Sequence, residues 1–245
     1  MRQVAGRAAL AALGVIAALG LISGGALAAS ADRGTDNGIT GKSPDAILAT
    51  SLAAGEHARF AHIVGNIVSG GSHIGLDIRF AGTKAEGRLS EDGIAFNLVL
   101  TSTKAFVKGG AAFWRKEGGA PGDPTVKLLA NKWVGGSIAK GKPFAAFGAE
   151  FRLRGLLASL SSSHGPLVLA GTTKIHGQPA VGLRDTKQGG TIYIATTGKP
   201  YPLSIQKTKG SDTGTLEFED WDKPVTVTAP TSYLDLDKLA KTGKP

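Results

Sequence analysis

A chain of 245 residues, 42% hydrophobic and 19% charged, has the length and balance of one globular domain or at most two small ones. Its 36 glycines and 6% aromatics suit many short strands and turns better than a helical bundle. The absence of cysteine excludes disulfides, thiolate metal sites, cysteine nucleophiles and a lipid-modified cysteine, while a formal charge of +9 favours an anionic membrane surface or acidic wall polymer as a partner.

Residues 1–28 set the compartment. Arg2 and Arg7 precede an apolar stretch running from Ala8 to Ile22, and Ala26-Leu27-Ala28 offers small residues at a cleavage spacing. This is the layout of a secretory signal peptide, and the apolar stretch falls short of the ~20 residues that span a bilayer. An exported protein is expected, in the cell envelope or outside it and without a lipidated cysteine, with an uncleaved signal anchor as the alternative. Export, and the lack of a basic run interleaved with aromatics, speak against nucleic acid as a partner.

Residues 29–42 are polar and Gly-rich without periodicity, which predicts a flexible linker. At 43–45, Ser-Pro-Asp combines a cap, a first-turn proline and an acid at the positive end, so a helix is expected to end near His57. Strand patterns follow. In 73–80 Ile74, Leu76, Ile78 and Phe80 share one face, and in 94–100 Ile94, Phe96, Leu98 and Leu100 do the same. Residues 104–116 look like a hairpin about Gly109–Gly110. Asp123-Pro124 opens a short helix, and Leu153, Leu156, Leu157 and Leu160 recur at helical spacing. From 166 onward strands return: 166–175, 178–185, the two strands joined by a turn within 190–208, 214–221 and 224–230. In the pair, Ile192, Ile194, Leu203 and Ile205 form the apolar face. One weak helix is expected near the C-terminus. Most of these strands are apolar on one side only, which fits antiparallel sheet. Two solutions satisfy that pattern: a sandwich of two sheets, or one large curved sheet whose inner side is covered by the few helices.

Several segments carry a family resemblance. They are Asn131–Val134, the stretch 172–185 (TTKIHGQPAVGLRD), the stretch 192–206 (IYIATTGKPYPLSIQ) and the stretch 216–230 (LEFEDWDKPVTVTAP). Over 43–230 the chain resembles the LppX/LprA/LprF/LprG family of envelope proteins, similar in fold to the LolA/LolB carriers. The resemblance implies an α+β fold, a strongly curved antiparallel half-barrel covering a few short helices with an apolar cavity between, followed by a tail at 231–245. It implies binding of an acylated lipid or lipoglycan, assistance in its transfer, no enzymatic activity and no cofactor. The missing cysteine is a departure, since many members are lipidated. Lining candidates on that architecture are Leu76, Ile78, Phe80, Phe96, Leu98, Leu100, Phe151, Leu156, Leu160, Ile192, Ile194, Leu203 and Ile205. Arg152, Arg154, Lys140 and Lys142, beside the central helices, are candidates for an anionic headgroup. Related folds also serve as envelope-stress sensors that contact a membrane transporter or regulator, which gives a second reading. A structural wall-associated protein with no cavity gives a third.

Other motifs are weaker. Gly136, Gly141 and Lys142 nearly fit a phosphate-cradling loop, but Pro143 stands where a hydroxyl belongs. The histidines His57, His62, His73, His164 and His176 include no HExxH pair, so no metal is expected. No serine-nucleophile elbow occurs. Trp114, Trp133 and Trp221 are expected as packing anchors.

Overall fold

Ser43 opens the first helix as its sequence dictates. In α1, Pro44–His57, the Ser43 hydroxyl accepts a hydrogen bond from the Ala46 amide, Pro44 occupies the first turn and Asp45 faces the positive end. The structure, a computed structural model, describes residues 35–162 and 164–242. The expected signal peptide, 1–28, lies outside the described residues.

Twelve strands follow or flank this helix. They are β1 Phe60–Ser69, β2 Ser72–Ala81, β3 Lys84–Glu91, β4 Ile94–Leu100, β5 Lys104–Gly109, β6 Trp133–Ser137, β7 Leu167–Ile175, β8 Gln178–Asp185, β9 Thr191–Ala195, β10 Pro202–Lys207, β11 Thr213–Glu219 and β12 Leu234–Asp235. Between them lie α2 Ala111–Lys116, α3 Pro124–Leu129, α4 Ala145–Glu150 and α5 Leu153–Ser162, and α6 Leu236–Thr242 follows β12. All strands join one sheet in the order β12-β6-β5-β4-β3-β2-β1-β11-β10-β9-β8-β7. Every pairing is antiparallel except β12 with β6. The sheet is curved and does not close. The fold is α+β, and of the two solutions the sequence allowed, it takes the single curved sheet.

Strand alternation reads correctly in β2, where Ile74, Leu76, Ile78 and Phe80 are buried while His73, Asp77 and Arg79 are exposed. The same inner face continues sideways through the register, with Ile63 opposite Ile78, Leu76 opposite Leu89 and Leu98 opposite Val107. Glycine sits at inner positions where the bend brings strands together. A Cβ on Gly87 would lie 2.2 Å from the Asp77 carbonyl oxygen, and one on Gly65 2.3 Å from that of Thr215. Curvature at these points therefore depends on the missing side chain.

Three expectations are corrected. Residues 104–116 do not form a hairpin: β5 ends at Gly109 and α2 begins at Ala111. The helix turns Phe113 back over Gly109, whose added Cβ would meet the ring at 2.3 Å, and onto Phe96, 4.7 Å between centroids. The segment 224–230 forms no ladder. Strand β11 already has β1 and β10 on its two sides, and Pro224 lacks an amide hydrogen, so the segment crosses the outer face as a strap. Val227 there packs on Val99 and Phe106. Residues 36–42 are not a free linker: Asp36 bridges to Thr197, the Asn37 amide nitrogen donates to the carbonyls of Ala195 and Gly198, and Ile39 is buried. In the C-terminal tail the expected weak helix is α6, and the short strand β12 precedes it.

A clasp ends the strap. Lys104 Nζ donates to Tyr233 Oη and to Asp235 Oδ2, both at 3.0 Å. These bonds raise the Lys104 pKa. Burial pushes the Asp235 carboxyl up, but the bond from Lys104 and the amides of Lys238 and Asp237 outweigh it and hold it below its usual value. The Asp235 contribution is present above the unfolded carboxylate value, about 3.9, and is lost as pH falls through the depressed folded value. The Lys104 contribution is present below about 10.4 and is lost as pH rises through its raised value. Acidification below about pH 4 is therefore expected to speed hydrogen exchange at β12 first, and Asp235→Asn to remove that acid step. An acid step unchanged in the variant would show that the clasp does not carry it.

Candidate functional site

The inner face and the helices share one apolar cluster. Leu76, Ile78, Phe80, Phe96, Leu98, Leu100, Ile192, Ile194 and Ile205 enter it from the sheet, and Phe151, Leu156 and Leu160 enter it from the helical side. Twelve of the thirteen expected lining residues thus come together. Sequence reading passed over others of equal burial, such as Ile63, Leu89, Leu183 and Leu216. The period-two rule would have found Ile63 and Leu183, had β1 been recognised and β8 read face by face.

Leu203 is the exception and corrects the expected apolar face of 203 and 205. The β9–β10 register runs Ile205 with Ile192 and Ser204 with Tyr193, then shifts so that Pro202 meets Ile194. This bulge turns Leu203 onto the outer face, where it packs with Ala180, Ala195 and Tyr193. Alternation alone cannot reveal an extra residue in one strand.

Helices roof the inner face unevenly. Their main backbone approaches fall on the flanks: α1 on β7, β9 and β10, α2 on β4 and β5, and α4 on β5. The inner residues of the central strands, Ile63 and Ile67 of β1, Leu89 of β3 and Leu216 of β11, are buried in the same cluster as the helices. Helices α1 and α5 pack together through Gly55, where a Cβ would lie 2.8 Å from Leu157 Cδ1. Phe147 stacks on Phe151 with centroids 5.4 Å apart, carrying the aromatic layer from α4 into α5. On α1, Ser51 is fully buried and its hydroxyl has no hydrogen-bond partner among the described residues. Leaving such a group unpaired costs about 1–3 kcal/mol.

The four expected cations separate. Arg154 Nε donates to the Glu56 carbonyl at 3.2 Å, and Lys142 Nζ lies 3.7 Å from Asp237 Oδ1. Lys140 and Arg152 instead border one cleft of about 600 Å³. Its walls are the β4–β5 turn (Ser102, Thr103), the end of β6 and the turn beyond it (Ser137, Ile138, Ala139), and Ala145 and Gly148 of α4. Arg152 Nε donates to the Gly148 carbonyl at 2.6 Å, which fixes the guanidinium over the helix. Gly148 lets α4 approach, because a Cβ there would lie 2.9 Å from that of Ile138. Ile138 in turn packs against the inner apolar cluster.

The phosphate-loop look-alike does not form a cradle. A Cβ on Gly136 would meet the Phe144 ring at 2.8 Å, so that glycine serves packing, and Lys142 is engaged by Asp237. A second cleft, about 560 Å³, opens between the β7–β8 turn, the β9–β10 turn and the end of β11. Its charges are paired: His176 with Glu217 at 3.2 Å, Lys199 with Asp222 at 2.6 Å and Lys223 with Asp220 at 2.7 Å. The hydrogen bond from Lys199 comes first among the causes that hold Asp222 below the usual carboxylate value. Trp221 lies between Tyr201 and Phe218, at 4.5 and 6.1 Å, with both rings nearly parallel to it. It is a packing anchor, as is the buried Trp114. Among the described residues, no group of three His, Asp or Glu side chains is placed to hold a metal ion, and no helix is long and apolar enough to cross a membrane.

No protein-family model matches the chain, and no curated protein matches it. Solved structures do. LprF from Mycobacterium bovis aligns over 77% of this chain and 97% of its own, at 15% identity and a TM-score of 0.50. LppX from Mycobacterium tuberculosis aligns over 76% and 98%, at 17% identity and a TM-score of 0.49. MucB aligns over 79% and 66%, at 14% identity and a TM-score of 0.39, a likeness too slight to argue from. At these identities the comparison speaks to architecture alone. The curved sheet, its helical roof and the LprF likeness agree: this chain has the LprF fold, the half-barrel that its sequence resemblance implied.

Proposed function

We propose that this protein is an exported envelope protein that holds the acyl chains of a lipid or lipoglycan between its curved sheet and its helices, and assists their transfer. One observation carries the reading. The inner face is apolar from β6 to β8, and Phe151, Leu156 and Leu160 of the helical side close on it in one continuous apolar cluster. The unpaired hydroxyl of Ser51 supplies a buried group that a lipid carbonyl can satisfy.

The energetics suit a carrier. Each methylene taken from water is worth about 0.8 kcal/mol, so a free acyl chain does not stay in water. A cargo drawn from a bilayer, however, moves between two hydrocarbon surroundings, and the exchange is close to neutral. Shape and headgroup contacts then decide what is taken. The basic charge of the chain favours approach to an anionic membrane. Organic extraction of the purified protein followed by mass spectrometry tests the reading. Acyl lipid in stoichiometric amount is expected, and its absence from protein made in a host with a lipid-rich envelope would favour a cavity-less structural protein.

A further inference from the structure

We infer that the cleft bounded by Ser102, Thr103, Ser137, Lys140 and Arg152 is a subsite for a phosphate ester, the headgroup end of a lipid whose acyl chains pass Ile138 toward the inner cluster. The inference rests on the lipid-binding reading and adds the chemistry of the headgroup.

Four donors meet there without a carboxylate among the described side chains to claim them. Lys140 is exposed and has no partner among the described side chains, and Arg152 donates its Nε to the Gly148 carbonyl. The hydroxyls of Ser102 and Thr103 stand exposed on the β4–β5 turn, with no partner among the described residues. A carboxylate offers two oxygens and is satisfied by one fork of an arginine. A phosphate ester offers more oxygens in a tetrahedral array, which suits a guanidinium, an ammonium and two hydroxyls on different walls. Asp237 is the nearby acid, and it is already engaged by the Ser137 amide at 2.7 Å and by Lys142. Asp237 therefore does not compete for Lys140 or Arg152.

The cleft is also placed for an ester rather than a bare ion. Ile138 and Ala145 give it an apolar side, and Ile138 packs directly on the inner cluster. At about 600 Å³ it has the size of a small-molecule site, larger than a single phosphate needs. Nothing comparable holds at the second cleft, where each cation already has its acid.

The test uses the full chain and three probes: dihexanoyl phosphatidylglycerol, dihexanoylglycerol and inorganic phosphate, each titrated by calorimetry. Lys140→Gln with Arg152→Gln is expected to weaken phosphatidylglycerol on the order of tenfold while leaving dihexanoylglycerol unchanged. Lys140→Glu, at an exposed position that does not bear on folding, is expected to weaken it in the same direction. Inorganic phosphate that fails to compete identifies the lipid headgroup as the source; phosphate that competes in wild type and not in the double variant identifies a free phosphate site in the same cleft. Equal phosphatidylglycerol affinity in wild type and both variants overturns the inference. If neither lipid binds wild type, the lipid-binding reading fails, and the phosphate arm alone decides the cleft: binding lost in the double variant upholds it, and no binding overturns it.

Discussion

Ile192→Trp is expected to abolish retention of acyl lipid while the chain still folds. Ile192 belongs to the inner cluster yet keeps 7% of its surface exposed, whereas neighbouring Ile194 keeps 0% and Leu98 1%. A larger ring at the tightly packed positions forces overpacking, at about 1–3 kcal/mol, and confuses loss of fold with loss of lipid. At Ile192, the least enclosed of the three, overpacking is expected to cost less, and the added ring is expected to exclude an acyl chain. Leu203→Ala is the matched control. Leu203 lies in the outer cluster, so its truncation is expected to cost about 2–3 kcal/mol of stability and no lipid. Mass spectrometry of extracts together with thermal melts reads both. Full lipid in Ile192→Trp and loss in Leu203→Ala would place the cargo on the opposite face.

Gly87→Ala is expected to lower stability by about 3 kcal/mol, or on the order of 10 °C in Tm. The added Cβ would sit 2.2 Å from the Asp77 carbonyl oxygen and 2.8 Å from Ile78 Cα. Both are backbone atoms of the paired strand, so no side-chain rotation relieves the clash, and β2 and β3 must separate. Gly65→Ala acts in the same way on the β1–β11 seam, against the Thr215 carbonyl oxygen. Gly41→Ala, with nothing within 4 Å, is the control and is expected to change little. A Tm for Gly87→Ala equal to that of the control would mean that the bend does not need glycine there.

These two positions also explain what the sequence disclosed and what it hid. Strands β2 and β4 were legible because their inner residues are uninterrupted: Ile74, Leu76, Ile78, Phe80 and Ile94, Phe96, Leu98, Leu100. In β3 the inner row is Ala85, Gly87, Leu89 and Glu91, and in β1 Gly65 breaks the row between Ile63 and Ile67. The glycines that permit the bend erase the alternation that would announce the strand. Helix starts were legible where local chemistry fixes them, as with Ser43 before α1 and Asp123, whose carboxylate accepts from the Thr125 amide at 2.7 Å, before α3. The strap at 224–230 has a strand's composition, but strand pairing depends on which sheet edges are vacant, and that is a property of the whole fold.

The inner face was legible for the same reason as β2 and β4, since burial on one side imposes period two. Leu203 was misplaced because a bulge changes the period at one residue. The cleft could not be read in advance. It joins a turn, a strand end and a short helix, and its hydroxyls and small residues follow no pattern. Four basic residues were visible, but only the folded chain shows that Lys140 and Arg152 border one cleft, while Lys142 is engaged by Asp237 and Arg154 lies elsewhere.

The central claim is that the apolar inner face takes up a hydrocarbon chain. Native mass spectrometry of the exported protein, before and after delipidation, tests it most directly. A mass excess equal to one acylated lipid, removed by extraction and restored by lipid vesicles, is predicted. A single mass matching the bare chain in both states, unaltered by exposure to vesicles, would contradict it.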